Sequence, residues 1–274
     1  MYTIEKVLNH NAILIQKDQK QYLTLRKGIG FGQKVGNQIQ LRSLEGVYLL
    51  EEYTKRGDSS LLLARIDPLY LEISDEIIQK ASSLLGDLDR NILLPLGDHI
   101  AYAIERIKKN LGISNPFANE IRLLNPKEYE AACMAADIIQ ARTGYVFDDD
   151  ELGYITLHLH SALTKEQVED GMNLAILMKE SVEMMEQCFS VKIEPSSLSY
   201  GRFMTHMRYM VARLKANETL NLDMDEYVRN QFPKAYQVAE DISQHLGKMM
   251  HVKIPRVEVG YLALHVQRVC DISK

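Results

Sequence analysis

Two histidines recur at a fixed spacing along this chain. Asp98-His99-Ile100-Ala101-Tyr102, with Arg106, Lys108 and Asn110 behind it, matches Thr205-His206-Met207-Arg208-Tyr209 with Arg213, Lys215 and Asn217, an offset of 107 residues. At the same offset, Glu151-Leu152-Gly153-Tyr154 with Leu157-His158 matches Glu258-Val259-Gly260-Tyr261 with Leu264-His265. Pro126-Lys127 with Tyr129 likewise matches Pro233-Lys234 with Tyr236. Three separated matches without a gap mark an internal duplication, which predicts two homologous domains, residues 67–170 and 171–274. Each keeps one pair, His99 with His158 and His206 with His265, whereas His10, His160, His245 and His251 have no counterpart.

Any one of these rings could be a hydrogen-bonded histidine at a contact between helices. Three chemistries compete with that reading. A zinc site could draw on His158, His160 and His99, but residues i and i+2 of a helix point about 200° apart and the second copy carries Gln267 in place of His160. The expectation is therefore no metal and no cofactor. An enzyme using the paired histidines would need a nucleophile or a cleft, and the chain has no Gly-rich nucleotide loop, Gly-x-Ser-x-Gly or His-Glu-x-x-His. It is read as a regulator, not an enzyme. Reversible phosphorylation remains: a neutral imidazole nitrogen is a nucleophile at physiological pH, and the product is a dianion. Arg106, two helical turns beyond His99, could pair with that phosphoryl group.

The flanking sequence supplies helices to hold the rings. His99, Tyr102 or Ala103, and Arg106 fall on one helical face beside the apolar face of Ile100, Ile104 and Ile107. Ile155 to His160 also alternates like a strand, but the repeat copy, with Leu262, Leu264-His265-Val266 and Val269, fits a helical period, and Asp148-Asp149-Asp150-Glu151 suits a helix start. Ser74-Asp75-Glu76 predicts another helix start before Ile77, Ile78, Ala81, Leu84 and Leu85. Upstream the pattern changes to short strands around Ile4–Val7, Ala12–Ile15, Tyr22–Leu25 and Val47–Leu50, with turns at Asn9-His10-Asn11 and Lys17–Lys20. A polar run from Thr54 to Ser60 fits a linker. The organisation expected is thus a β domain over 1–56, a linker over 57–66, and the two duplicated domains. The fold class is a small antiparallel β domain followed by two all-α helical bundles.

Composition is that of a water-soluble globular chain: 46% hydrophobic and 25% charged residues over 274. No apolar run is long enough to span a bilayer and no leader pattern opens the chain, so a cytoplasmic protein without membrane insertion is expected. Cys133, Cys188 and Cys270 are too few and too scattered for a disulfide framework and read as reduced core residues. The formal charge of −5 is uneven. Residues 1–56 carry nine Lys/Arg against five Asp/Glu, net +4, and the remainder carries 23 against 32, net −9. A basic head on an acidic body suits a polyanionic partner at the head. A sheet of some 55 residues buries little of its surface, so dimerisation is expected to support it.

With the basic head, Lys27-Gly28-Ile29-Gly30-Phe31-Gly32-Gln33-Lys34 and the duplicated histidine motifs together, the chain resembles the BglG/SacY family of bacterial transcriptional antiterminators over essentially its whole length. Lys6-Val7-Leu8-Asn9-His10-Asn11 also carries the resemblance, and Asn115-Pro116-Phe117 and Leu157–Thr164 look most like the subgroup that controls a glucose permease. The resemblance implies an RNA-binding head that dimerises on a leader-mRNA hairpin and so prevents a terminator from forming. It implies two regulation domains of the sugar phosphotransferase system (PTS), phosphorylated on His99, His158, His206 and His265 by the phosphocarrier HPr and a sugar-specific enzyme II. By motif position, Lys6, Asn9, Asn11, Lys27, Gly28, Gly30, Phe31 and Lys34 are the RNA-contact candidates. His10 stands where the family commonly has asparagine. A DNA-binding activator with the same regulatory domains is the competing reading, and it requires a helix-turn-helix head. For Lys27–Gly32 the alternative role is a tight turn with a core phenylalanine.

Overall fold

The computed structural model describes residues 1–41, 43–50, 53–54, 57–220 and 224–272. The chain forms two compact units, residues 1–115 with 127–168, and residues 116–126 with 169–274.

In the first unit, β1 (Tyr2–Val7), β2 (Ala12–Lys17), β3 (Lys20–Leu25), β4 (Gln38–Ile39) and β5 (Val47–Leu50) make an antiparallel sheet in the order β4-β1-β2-β3-β5. The β2–β3 hairpin turns through Asp18 and Gln19, both at positive φ, the geometry that matches strand twist. Alternation along the strands separates two apolar sets. Ile4, Ile13 and Ile15 form one, with Tyr2, Val7, Tyr22, Ile29, Ile39 and Leu41 around them. Ala12, Leu23, Leu25 and Tyr48 form the other, and it merges into the helical core through residues such as Leu63, Ile66, Leu71 and Ile78. Within one chain the small sheet therefore gains its second layer from the helical domain, a role that dimerisation was expected to fill.

Where the sequence suggested a linker over 57–66, the chain is built. After a short hairpin of β6 (Tyr53–Thr54) and β7 (Gly57–Asp58) comes α1 (Ser59–Arg65), with Leu62, Leu63 and Ile66 buried. The polar run is short, and the leucines behind it pull the segment onto the core; Lys55 and Arg56 lie outside the described residues. Next, α2 runs Pro68–Leu85, starting six residues before the expected Ser74. Asp67 caps it by accepting from Leu69 N at 2.9 Å and Pro68 presets the first turn. Ser74, read as the cap, is buried in mid-helix and donates its hydroxyl to Tyr70 O.

The unit is completed by α3 (Leu93–Lys108), most of α5 (Pro126–Thr143) and α6 (Asp149–Thr164). The helical reading of Ile155–His160 holds, with Asp148 capping α6 by accepting from Glu151 N at 3.0 Å.

The second unit contains α7 (Val168–Phe189), α8 (Leu198–Ala216), α9 (Asp225–Gln231), α10 (Pro233–Met250) and α11 (Arg256–Ile272). There α11 packs on α8, α9 and α10. The unit also includes α4 (Ala118–Leu124), which packs against α8 through a hydrogen bond from Tyr200 Oη to Glu120, while its Ile121 and Leu124 are buried. The expected domain 67–170 is therefore interrupted at 116–126. Of the three cysteines only Cys270 is buried; Cys133 is exposed and Cys188 intermediate, so the expectation of three core cysteines is corrected to one.

Candidate histidine centres and nucleic-acid interface

The duplicated residues meet in each unit. In the first, α3 presents His99 and α6 presents His158, with ring centroids 5.4 Å apart, and Tyr154 lies 5.8 Å from His99. Glu151, on the first turn of α6, sits between the His99 ring and Arg106: its Oε2 is 3.4 Å from His99 Nε2 and its Oε1 accepts from an Arg106 guanidinium nitrogen at 2.5 Å. Burial works to raise the Glu151 carboxyl, but His99 and Arg106 together hold it below the usual range. Arg106 was expected to await a phosphoryl group, and it already has an anionic partner. Its Nε nevertheless lacks a hydrogen-bond partner, so the guanidinium has unused donor capacity. A pocket of about 300 Å³ opens over it, lined by Asp98, His99, Tyr102, Arg106, Ile113 and Tyr154. His99 lines this pocket with its side chain 11% exposed, whereas His158 is buried at 3% exposure.

In the second unit, His206 of α8 and His265 of α11 stack with centroids 4.0 Å apart. Arg213 grips Glu258 with both Nε and a terminal nitrogen at 2.8 Å, a bidentate pair where the first unit has a single contact. Burial pushes His206 down to about 3, reinforced by His265 and Arg213, and burial with Arg268 lowers His265. Both rings are thus held neutral, the nucleophilic form.

A histidine whose folded value lies below its unfolded one, near 6.5, contributes stability that is present above that pH and is lost as pH falls towards the folded value. The transition of the second unit is therefore expected to lose about 1–2 kcal/mol between pH 7 and pH 5 through His206. Thermal unfolding of the full chain and of His206→Asn across that range checks it. An equal pH slope in the two proteins would show that the stacked ring is not the source.

The RNA-contact candidates lie on two loops of the head that converge. Asn9 Oδ1 accepts from Asn11 N at 2.7 Å, and Asn11 Oδ1 accepts from Gly28 N at 2.9 Å. Gly30 N donates to His10 O at 2.9 Å, and the Phe31 ring meets His10 edge-on at 5.6 Å. Phe31 is 73% exposed, so the core role considered for it does not apply. Lys6, Lys27 and Lys34 are all exposed; Lys27 adjoins Gly28, whereas Lys6 is on β1 and Lys34 opens the turn that donates Gly36 N to Ile4 O. The structure brings Asn9, Asn11, Gly28, Gly30 and Phe31 together directly and gives Lys6 and Lys34 no bond to that group. Among the described residues of 1–56 there is no helix, so no recognition helix for DNA is present.

Sequence reasoning did not single out Glu151 and Glu258. The signal was there: both lie in the repeated stretch, at the same offset as the histidines. No group of three or more His, Cys, Asp or Glu among the described residues is placed to hold a metal ion.

A family model described as the CAT RNA binding domain matches residues 2–56, and one described as the PRD domain matches twice, over 75–162 and 179–269. A protein named GlcT from Staphylococcus haemolyticus (strain JCSC1435) is 31% identical over 97% of this chain and 95% of its own length. GlcT from Staphylococcus saprophyticus is 28% identical over 100% of this chain and 99% of its own. A solved structure titled "Crystal structure of GlcT CAT-PRDI" has 32% identity and a TM-score of 0.51, covering 60% of this chain and 98% of that one.

Proposed function

This chain belongs to the BglG/SacY family of transcriptional antiterminators, and from that premise we propose how its parts divide the work. It is a sugar-responsive antiterminator under PTS control. The head, residues 1–56, grips a hairpin in nascent leader mRNA as part of a homodimer in the cytoplasm, and the held hairpin excludes an overlapping terminator. Phe31 stacks on an unpaired base, Asn9 and Asn11 address base edges or the backbone, Gly28 admits the RNA close to the main chain, and buried Gly30 contributes by letting the 9–11 loop pack against it. Lys6, Lys27 and Lys34 meet phosphates. The observation that carries this reading is Phe31, a large aromatic ring left 73% exposed beside the bonded 9–11 and 27–31 loops.

Control rests on His99, His158, His206 and His265 as phosphoryl acceptors. A sugar-specific enzyme II, of the glucose type, modifies the first regulation domain when no sugar is being transported and turns the protein off. HPr modifies the second domain with a milder, activating effect. The neutral His206 and His265 rings, and the pocket that reaches the largely buried His99, are consistent with that chemistry.

Lys27→Ala in the full chain is expected to weaken hairpin binding and reduce the salt slope by about one ion. Phe31→Ala is expected to remove a stacking contribution of ~1–3 kcal/mol with little change in melting temperature, because the ring is 73% exposed and its ring contact is with His10. Binding titrations at several salt concentrations, with melting curves alongside, check both. Unchanged affinity in both variants would remove this loop from the RNA interface.

A further inference from the structure

The two asparagines of the 9–11 loop are already engaged. Asn9 Nδ2 donates to Glu72 Oε1 at 2.8 Å and Asn11 Nδ2 donates to Glu72 Oε2 at 3.2 Å. Glu72 lies on α2 of the first regulation domain, 63 residues from Asn9 in the chain. Arg142 of α5 fixes the acidic side in turn, reaching Glu72 Oε2 at 3.2 Å and Glu76 Oε2 at 2.8 Å. The Glu72 side chain is only 15% exposed, so this contact is enclosed by both domains.

A carboxylate offers two oxygens on one small anion, the acceptor pattern that a phosphate group offers to amide donors. Both oxygens of Asn9 and Asn11 are used to shape the loop, towards Asn11 N and Gly28 N, so the Nδ2 groups are the side chains' outward donors. We propose that Glu72 is an internal competitor of RNA, a carboxylate of the first regulation domain that occupies the reading loop of the head until it is displaced. The proposal rests on the reading of residues 9–11 as an RNA contact.

Affinity for RNA is then reduced by the fraction of molecules in which Glu72 has let go. Release breaks the Glu72 contacts with Asn9, Asn11 and Arg142 and opens this side of the contact to RNA. The same helix packs closely on α3, the helix that carries His99: a Cβ at Gly97, two residues before His99, would come within 3.1 Å of Leu71 Cδ2 and 3.4 Å of Ser74 Oγ. At that spacing α3 cannot move towards α2 without displacing it. In this proposal α2, packed against α3 and carrying Glu72, is the element placed to pass a change at His99 to Asn9 and Asn11.

The test uses the full chain and an RNA hairpin selected in vitro for binding to it. Glu72→Ala is expected to bind at least about tenfold tighter, since both amide donors are then free. Glu72→Gln, which keeps the shape of the side chain and one acceptor, should fall between wild type and Glu72→Ala. Lys27→Ala is run beside them. If Lys27→Ala weakens binding while both Glu72 variants bind as wild type or more weakly, the RNA reading of the head stands and the competitor is overturned, with Glu72 serving only to shape the loop. If Lys27→Ala and Phe31→Ala leave binding untouched, the reading of the loop fails and takes the competitor with it.

Discussion

Replacing His99 or His158 by alanine is expected to leave antitermination running whether or not sugar is supplied. The reason is the charge that phosphorylation would deliver. A phosphoryl group on His99 brings about −2 to within a few ångströms of Glu151, and at roughly 5 Å and an effective dielectric of ~20 that repulsion alone is roughly 7 kcal/mol. Arg106, bound to Glu151 through a single contact and with Nε unpaired, is the neighbour able to turn towards the new dianion. The pair between α3 and α6 must then rearrange. If the domain also pairs with its twin across a two-fold, phosphoryl groups ~10 Å apart add roughly 2–7 kcal/mol before salt screening. Either effect exceeds what is needed to shift a two-state equilibrium tenfold. Aspartate at His99 or His158 carries one charge instead of two and should mimic the off state only weakly. Reporter expression with and without sugar, together with phosphate incorporation from purified enzyme II and HPr, checks this. Variants that stay fully sugar-responsive and accept as much phosphate as wild type would reduce the histidines to packing residues.

Gly30→Ala is expected to cost the head both stability and RNA binding, and Gly28→Ala a comparable or smaller part of the first. A Cβ at Gly30 would collide with the Asn9 carbonyl oxygen and press within 3.3 Å of Ile13 Cγ2. Backbone has to move, which breaks the Gly30 N to His10 O bond that ties the two loops. Such overpacking costs about 1–3 kcal/mol, and if the loss is carried into the loop geometry it lowers affinity about tenfold to a hundredfold. Gly28 differs: its φ is +75 and nothing lies within 4 Å of an added Cβ. Its substitution meets only the left-handed penalty of about 1–2 kcal/mol. Melting curves and hairpin titrations of the two full-length variants separate these effects. Wild-type affinity for Gly30→Ala would mean that the paired loops are not the RNA surface.

Much of the plan was legible in one dimension because it is periodic or repeated. The 107-residue offset exposed two regulation domains and the four histidines, and strand alternation exposed the head. Local signals competed where they failed. Ser74 looked like a helix cap, but Asp67-Pro68 upstream is the stronger start, and once that cap forms Ser74 is simply carried into the core. The span 57–66 looked like a linker by its polar opening, and the leucines after it decided otherwise.

Duplication also shows where sequence stops deciding. α4 and α9 occupy equivalent positions in the repeat, yet α9 packs on α10 and α11 while α4 packs on α8. The sequence by itself determined that a strand-built head precedes duplicated helical domains and which histidines are paired, because period and repeat are properties read along the chain. Only the tertiary structure decided that Glu151 stands between His99 and Arg106, that Phe31 faces outward, and that Glu72 holds Asn9 and Asn11. Those contacts join residues tens of positions apart, and their energies depend on burial and distance, which no local pattern encodes.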